Sequence, residues 1–447
     1  EEVASFKAID TYIEEQMQRL KIPGVSLAIV EGDQITHQRG FGQARPDGEA
    51  PSPQTSFFIG STTKSFTALA VMQLVEEGRI DLDAPVQKYL PWFRVADPQA
   101  SAQITVRHLL NQTSGLPLGP AWQLLADFDD RPDATERQAR ALSTLELSRP
   151  VGSAFEYSNL NYNLLGLIIE TASGESYAGY VQNHIFEPLE MSHSYSSKEA
   201  AKKDDLAVGH QTWFGSPTAV PDLPAPTDSL PSGQLISSAE DMGHYLIAQL
   251  NDGRYKGTQI LSPEGIAELH QPAAEAISGG AAMGHYGMGW YIEEKGTRIV
   301  HHTGMVPDFY TYMALLPEQK KGVVLLVNAN HFVGEFTMTE VSNGVTAMLA
   351  GNPLDPIKYG TIPWVLRSMA LIPLLQIAGV FVTLWLLRRW RRDPQHQPGH
   401  ARIWGLYILP SVLLNLIPIA SGLAVLTSDL RGFLILFMPD LSWLALI

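Results

Sequence analysis

The chain has 447 residues, a formal net charge of −15 and no cysteine. The lack of cysteine excludes disulfides, thiol catalysis and cysteine-ligated metal. Before residue 360 there is no basic stripe with interleaved aromatic residues, and together with the acidic charge this argues against nucleic acid as a partner.

The amino-terminal part of the chain is predicted to contain a helix, a hairpin and a second helix. Residues 3–20 have the spacing of an amphipathic helix, and the apolar runs 25–30 and 35–40 flank a polar turn. Residues 63–77 are apolar on several faces, which predicts a helix buried in the core. Gly78 is expected to end that helix.

A first candidate motif lies at the start of the second helix. Ser61 follows the apolar run 57–60, and Lys64 comes three residues later, so both side chains share one helix face. A serine hydroxyl needs a neighbouring base to become a nucleophile, and a lysine amine becomes a base when its pKa falls from about 10.4. The positive potential of the helix start favours an oxyanion there. The plain alternative is an N-capping serine.

A second candidate motif contains Tyr157 and Asn159, in a loop before the apolar helical run 164–169. A tyrosine at this point can relay a proton. The asparagine can orient Lys64 and bind a substrate carbonyl. A turn with an asparagine cap is the structural alternative.

The carboxy-terminal half of the body is predicted to be rich in strands, at 290–292, 297–301, 310–316 and 322–328, before a helix at 334–350. Strands at both ends with helices between them predict an α+β fold. One antiparallel sheet would be closed by the two chain ends, with the mostly helical middle on one side and the active site at the seam. Residues 212–231 are rich in Pro, Ser, Thr and Asp and are expected to form an irregular loop over the cleft.

A third candidate motif, His302-Thr303-Gly304, follows the predicted strand 297–301. The glycine would let a substrate backbone lie against the strand. The amide of Met305 could donate to an oxyanion beside the amide of Ser61. A strand-end turn with a surface histidine is the alternative.

The three motifs, in this order and at these separations, resemble those of the penicillin-recognising serine hydrolases. Residues 104–117 and 231–242 are similar to further segments of that family. Over roughly residues 5–350 the chain resembles class C β-lactamases and D-alanyl-D-alanine carboxypeptidases. The resemblance implies a β-lactamase/penicillin-binding-protein-like antiparallel sheet with a mostly helical subdomain.

The resemblance also implies an acyl-enzyme mechanism without metal or cofactor on a small-molecule or peptide substrate. Ser61 is the implied nucleophile, and Lys64 and Tyr157 transfer its proton. The amides of Ser61 and Met305 would bind the oxyanion. The implied substrate-binding residues are Asn159, His302, Thr303 and Gly304. A histidine where the commoner motif has lysine favours a peptidase or amidase on D-amino-acid-containing or cell-wall-type peptides. A β-lactamase, an esterase or lactonase, and a β-lactam or peptidoglycan sensor without turnover remain open.

The composition changes at the end of the body, residues 1–355. Apolar residues 362–387 and 403–426 are each long enough for a transmembrane helix, and 432–447 begins a third, incomplete membrane segment. The intervening loop 388–402 is basic and should stay in the cytoplasm. The first span would then place the catalytic domain in the periplasm or outside the cell. The expected partner of these segments is a lipid bilayer. A chain that starts without methionine is expected of a protein whose signal peptide has been removed.

Overall fold

The computed structural model describes residues 2–446, apart from 47, 119–130, 132, 224, 279–280, 295, 358, 360–366, 393–398, 411, 414–415, 417–419 and 421–430. The strands are β1 Gly24–Glu31, β2 Gln34–Gly42, β3 Ser56–Phe58, β4 His210–Trp213, β5 Ser216–Ala219, β6 Ile236–Ser238, β7 Arg254–Tyr255, β8 Thr258–Gln259, β9 Ala274–Ser278, β10 Ala281–Tyr286, β11 Tyr291–Glu293, β12 Ile299–Val306, β13 Phe309–Leu316, β14 Lys321–Val327 and β15 Ala329–Asn330.

The helices are α1 Glu2–Leu20, α2 Thr63–Glu76, α3 Pro98–Gln103, α4 Val106–Leu110, α5 Ala134–Ala141, α6 Asn159–Ser173, α7 Tyr177–Val181, α8 Lys198–Lys203, α9 Leu230–Gly233, α10 Ala239–Leu250, α11 Pro263–Leu269, α12 Phe332–Ala350, α13 Leu371–Arg392, α14 His400–Ile403, α15 Arg431–Phe437 and α16 Pro439–Leu446.

The centre of the body is an eight-stranded antiparallel sheet in the order β2-β1-β14-β13-β12-β11-β10-β9. The first strand of the chain lies between its hairpin partner β2 and β14, with Val25 opposite Val327. The prediction of a sheet closed by the two ends of the body is therefore confirmed. The α+β fold with a helical subdomain is confirmed as well.

Both faces of the sheet are covered, because alternate residues of a strand point to opposite sides. On one side Leu27 and Ile29 pack with the helices α1 and α12. On the other side Ala28 and Val30 belong to the main core, which includes the helical subdomain. This double burial explains why every residue of β13 is buried.

Helix α2 is the central helix of that subdomain, and ten consecutive residues from Thr63 to Met72 are buried. Phe66 stacks on Tyr245 of α10 with ring centroids 4.0 Å apart. The helix ends at Glu76, and Gly78 follows with φ +72°. The predicted buried helix is confirmed, and the turn before it packs closely against β12 of the sheet.

Two regions differ from the sequence-based expectation. Residues 212–231 are only partly irregular, because β4 and β5 form a hairpin whose first strand pairs in parallel with β15. The hairpin of β9 and β10, which extends the sheet beyond β11, was not predicted.

Beyond the body, one described apolar stretch, Arg367–Arg392, is long and apolar enough to cross a membrane. Its helix α13 continues past the predicted end at 387 through the basic residues to Arg392. Half of the predicted span 403–426 lies outside the described residues. In the segment 432–447, helices α15 and α16 pack against the body, where Leu436 and Phe437 are buried.

Candidate active site

The first motif lies at the junction of the sheet and the helical subdomain. A short 3-10 turn, Gly60–Thr62, leads directly into α2, so Ser61 stands one turn before Lys64 on the same side. Thr62 Oγ1 donates to the carbonyl of Ile59 at 2.7 Å, which holds the turn. Ser61 remains partly exposed while Lys64 is fully buried.

Lys64 Nζ has three oxygen neighbours. It lies 3.0 Å from Ser61 Oγ, 2.7 Å from Asn159 Oδ1 and 2.6 Å from the carbonyl oxygen of Ser232. Burial lowers the pKa of the Lys64 amine well below its ordinary value. A neutral amine has two hydrogens and one lone pair. The hydrogens suit the two acceptors, Asn159 and Ser232, and the lone pair is left for the hydroxyl of Ser61.

The second motif brings its two residues to the same amine. Asn159 is the first residue of α6, and the loop before it is fixed because Ser158 N donates to Gln112 Oε1 at 2.9 Å. Lys64 Nζ lies 4.8 Å from the ring centroid of Tyr157. The structure therefore places Tyr157 beside the reacting groups.

The third motif lies on β12, directly against the start of α2. A Cβ built on Gly304 would lie 2.0 Å from the carbonyl oxygen of Ile59 and 3.1 Å from Ser61 N. A Cβ on Gly60, which has φ +53°, would lie 2.3 Å from Met305 N. These approaches allow only glycine. They bring the amides of Ser61 and Met305 into one small region, as an oxyanion site requires.

Strand β12, with His302, Thr303 and Gly304, forms one side of the site, which we call the strand wall. Both ring nitrogens of His302 have hydrogen-bond partners there. Its side chain is 1% exposed. Nε2 lies 3.3 Å from the hydroxyl of Tyr286, and Nδ1 donates to the carbonyl of Thr303. Burial, and to a smaller extent the nearby Lys64, lowers the pKa of His302 to about 3. The ring is therefore neutral at physiological pH, and its one lone pair accepts from the Tyr286 hydroxyl.

The neighbouring His301 points to the opposite side of β12, where it packs on Tyr291 and lies 3.1 Å from Glu293. The two adjacent histidines therefore do not converge on one point. Within the described part of the chain, no group of three or more His, Asp or Glu side chains is arranged to hold a metal ion.

Three groups of the site were not foreseen from the sequence. The Ser232 carbonyl comes from α9, far from Lys64 along the chain. Tyr286 belongs to the unpredicted strand β10, so no local pattern pointed to it. The ring of Tyr162 lies 5.7 Å from Lys64 Nζ, and its position three residues after Asn159 on α6 was a signal that could have indicated it.

Known proteins similar in sequence to this chain include β-lactamase-like and penicillin-binding proteins. The sequence model of the Beta-lactamase family matches residues 9–343. "Protein flp" of Staphylococcus aureus (strain COL) is 29% identical over 461 residues, covering 99% of this chain and 88% of that protein. "Penicillin-binding protein 4" of Amycolatopsis lactamdurans is 29% identical over 338 residues, covering 74% and 86%.

A solved structure, that of the octameric penicillin-binding protein homologue from Pyrococcus abyssi, superposes with a TM-score of 0.69. It is 30% identical and covers 82% of this chain and 81% of its own. The family match, which extends over most of the body, includes all three candidate motifs.

Proposed function

Because this chain belongs to the Beta-lactamase family, we propose that it is a membrane-anchored serine hydrolase whose acyl-enzyme forms on Ser61. The observation that carries the proposal is the position of the buried Lys64 amine, 3.0 Å from Ser61 Oγ, with its other two hydrogen-bond partners both acceptors. That arrangement leaves the amine lone pair to take the serine proton.

In the acylation step, Ser61 Oγ attacks the substrate carbonyl carbon while its proton passes to Lys64 Nζ. The carbonyl oxygen becomes an oxyanion held by the amides of Ser61 and Met305. Collapse of this intermediate breaks the bond to the leaving group, which takes a proton delivered through Lys64 and Tyr157. Water, activated by Tyr157, then attacks the ester carbonyl carbon, and the ester bond to Ser61 Oγ breaks to release the acid. The proton taken from this water is delivered to Ser61 Oγ, which restores the hydroxyl.

The proposed substrate class depends on the charge that residue 302 of the strand wall presents. His302 is neutral and locked by Tyr286, so this wall presents no charge at residue 302 to the substrate. Such a wall suits an amide or peptide better than a group recognised by its carboxylate. We therefore favour a peptidase or amidase on D-amino-acid-containing or cell-wall-type peptides. Hydrolysis of β-lactams, esters or lactones uses the same nucleophile and is the second candidate, supported by the penicillin-binding relative.

Membrane anchoring is proposed from Arg367–Arg392, of which the apolar window is unburied. The basic residues at the carboxy-terminal end of α13 favour the cytoplasmic side for that end. The catalytic body, at the other end of the helix, would then lie outside the cytoplasm. The substrate would therefore be met in the periplasm or the extracellular space.

Intact-protein mass spectrometry tests the proposal. The native protein, Ser61→Ala and the exposed control Ser153→Ala are incubated with benzylpenicillin and, separately, with a D-alanine p-nitroanilide. We expect a penicillin adduct or p-nitroaniline release with the native protein and the control, and neither with Ser61→Ala. Retention of activity within about tenfold in Ser61→Ala contradicts the nucleophile assignment, because losses at such residues are far larger.

The two probes also separate the candidate activities. Fast release of p-nitroaniline with a persistent penicillin adduct supports the peptidase or amidase. Rapid hydrolysis of penicillin without an adduct supports a β-lactamase instead.

A further inference from the structure

The last two helices of the chain pack on the catalytic body at a place that the proposed mechanism does not use. The contact surface on the body is the hairpin of β4 and β5. Gln211 Nε2 of β4 donates to the carbonyl of Leu436 at 2.7 Å. The ring of Phe214 meets Trp443 edge-on, with centroids 6.2 Å apart. The tail is thus attached to the body by both polar and aromatic contacts.

Asp440 lies at the centre of this attachment and is 0% exposed. Its Oδ2 accepts from Phe214 N at 2.9 Å, and its Oδ1 accepts from Leu441 N at 2.8 Å. Oδ1 also lies 3.1 Å from Nε2 of the buried His331. A buried carboxylate is costly unless partners of this kind surround it, so its removal should weaken the attachment.

The turn of the hairpin is shaped for the same contact. Phe214 and Gly215 have φ +48° and +72°, the left-handed pair of a type I′ turn. A large aromatic residue rarely adopts that conformation. Here the turn points the Phe214 amide at Asp440. The side chain of Arg367, at the start of the apolar stretch, lies 3.0 Å from a Cβ built on Gly215.

A short series of contacts joins the attachment to the strand wall of the active site. His331 follows Asn330, whose Oδ1 accepts from the His331 amide at 2.8 Å. Nδ2 of Asn330 donates to the carbonyl of Val306 at 2.7 Å. Val306 is the residue after Met305. Strand β4 adds a second link, because His210 N donates to the carbonyl of Asp308 at 3.2 Å.

We infer that the carboxy-terminal tail positions the oxyanion site: Asp440, through His331 and Asn330, holds the end of β12 so that the Met305 amide faces Ser61. The inference rests on the oxyanion role proposed above for Met305. These three are positioning residues, since none of them touches Ser61 or Lys64 in the described contacts. Attachment of the tail and full activity would thus be coupled in one chain.

The test uses the full chain in lipid nanodiscs and the variants Asp440→Ala, Asp440→Asn, Asn330→Ala and the exposed-carboxylate control Asp355→Ala. Hydrogen–deuterium exchange is measured over residues 306–311. Labelling of Ser61 by a fluorescent fluorophosphonate gives kinact and KI separately. A phosphonylated serine directs an oxygen at the oxyanion donors, so kinact reports their placement.

We expect faster exchange over 306–311 and a kinact about tenfold lower, at unchanged KI, in Asp440→Ala and Asn330→Ala. Asp440→Asn keeps an acceptor for Phe214 N and should recover most of the rate, which a general loss of packing would not predict. Asp355→Ala should behave as the native protein.

The inference is overturned if Asp440→Ala shows native exchange over 306–311, or faster exchange with a native kinact. Should Asp440→Ala not fold, native exchange with a native kinact in Asn330→Ala overturns the inference, because the link from Asp440 to β12 passes through Asn330. Absence of labelling in the native protein would instead count against Ser61 as nucleophile, and the exchange data would still decide whether the tail holds β12.

Discussion

The two walls of the candidate active site each contain a buried base, and the two bases face different partners. On the helix wall, which is the start of α2, Lys64 Nζ lies 3.0 Å from Ser61 Oγ, and the proposed mechanism uses its lone pair to take the hydroxyl proton. On the strand wall, the lone pair of His302 accepts from the Tyr286 hydroxyl, and its N–H is taken by the carbonyl of Thr303. Burial lowers the pKa of both groups, and in the proposed mechanism their hydrogen bonds leave Lys64, and not His302, available to Ser61.

This comparison shows that a lowered pKa alone does not identify a catalytic base. Lys64 and His302 are both desolvated. Only Lys64 stands beside a partly exposed hydroxyl. His302 instead is hydrogen-bonded to Tyr286 and Thr303 within β12 and its neighbours.

Replacement of Lys64 should have the largest effect. In Lys64→Met the proton acceptor of Ser61 is lost while the buried volume is nearly kept, so labelling of Ser61 by a fluorophosphonate should slow by about 10³-fold or more. Thermal unfolding should remain a single transition with only a modest fall in Tm, because the loss of a donor for Asn159 Oδ1 and the Ser232 carbonyl is partly offset by the removal of a desolvated amine. The control is Lys256→Met, which removes an exposed lysine paired with Glu190. A loss of less than tenfold in Lys64→Met would refute the assignment of Lys64 as the base.

The second largest effect should be the pH dependence of Ser61 labelling, which distinguishes Lys64 from His302 as the titrating group. Lys64 acts in its neutral form, so the rate should fall about tenfold for each pH unit below its lowered pKa and level off above it. His302, with a pKa of about 3, should add no inflection between pH 5 and 9. Rates measured over that range in the native protein and in His302→Gln test this. An acidic inflection that disappears in His302→Gln would show that His302 is the titrating group.

Changing the strand wall should have the smallest effect and should alter selectivity more than rate. His302→Lys places an amine where the wall is neutral, so peptides ending in a free D-alanine carboxylate should gain about tenfold in kcat/KM over their carboxamides. His302→Gln, which stays neutral, is the matched control and should leave the ratio unchanged. An equal change of the ratio in both variants would mean that size at residue 302, and not charge, sets selectivity.

Much of the fold could be predicted because its signals are local. The alternation of Leu27 and Ala28 and the turn after β13 fix the strands near both ends of the body. The all-round apolar pattern of α2 fixes the central helix. The hairpin of β4 and β5 was missed because Phe214, Gly215 and Pro217 favour a loop by their local propensities, while pairing with β15 stabilises a strand.

The site was predictable where its groups are neighbours in sequence. Ser61 and Lys64 share a helix face, and Tyr157 and Asn159 lie at the start of another helix, so their residue types indicated their grouping. The hydrogen-bond partners that orient the two buried groups come from distant segments. The Ser232 carbonyl and the Tyr286 hydroxyl reach Lys64 and His302 only through the tertiary fold. The pair of His331 and Asp440 was hidden in the same way, because its two members are distant in sequence and Asp440 lies in the predicted membrane segment 432–447.

The close approach of Gly60 and Gly304 has a consequence for how this chain can diverge. Since a Cβ at either position would overlap backbone atoms of the other wall, neither residue can be exchanged alone without separating the walls. Tyr286 and His302 contact each other only through their side chains, so they can be substituted together with the side chains that surround them. New selectivities should therefore arise at the wall surfaces during evolution, while the junction between the walls stays as it is.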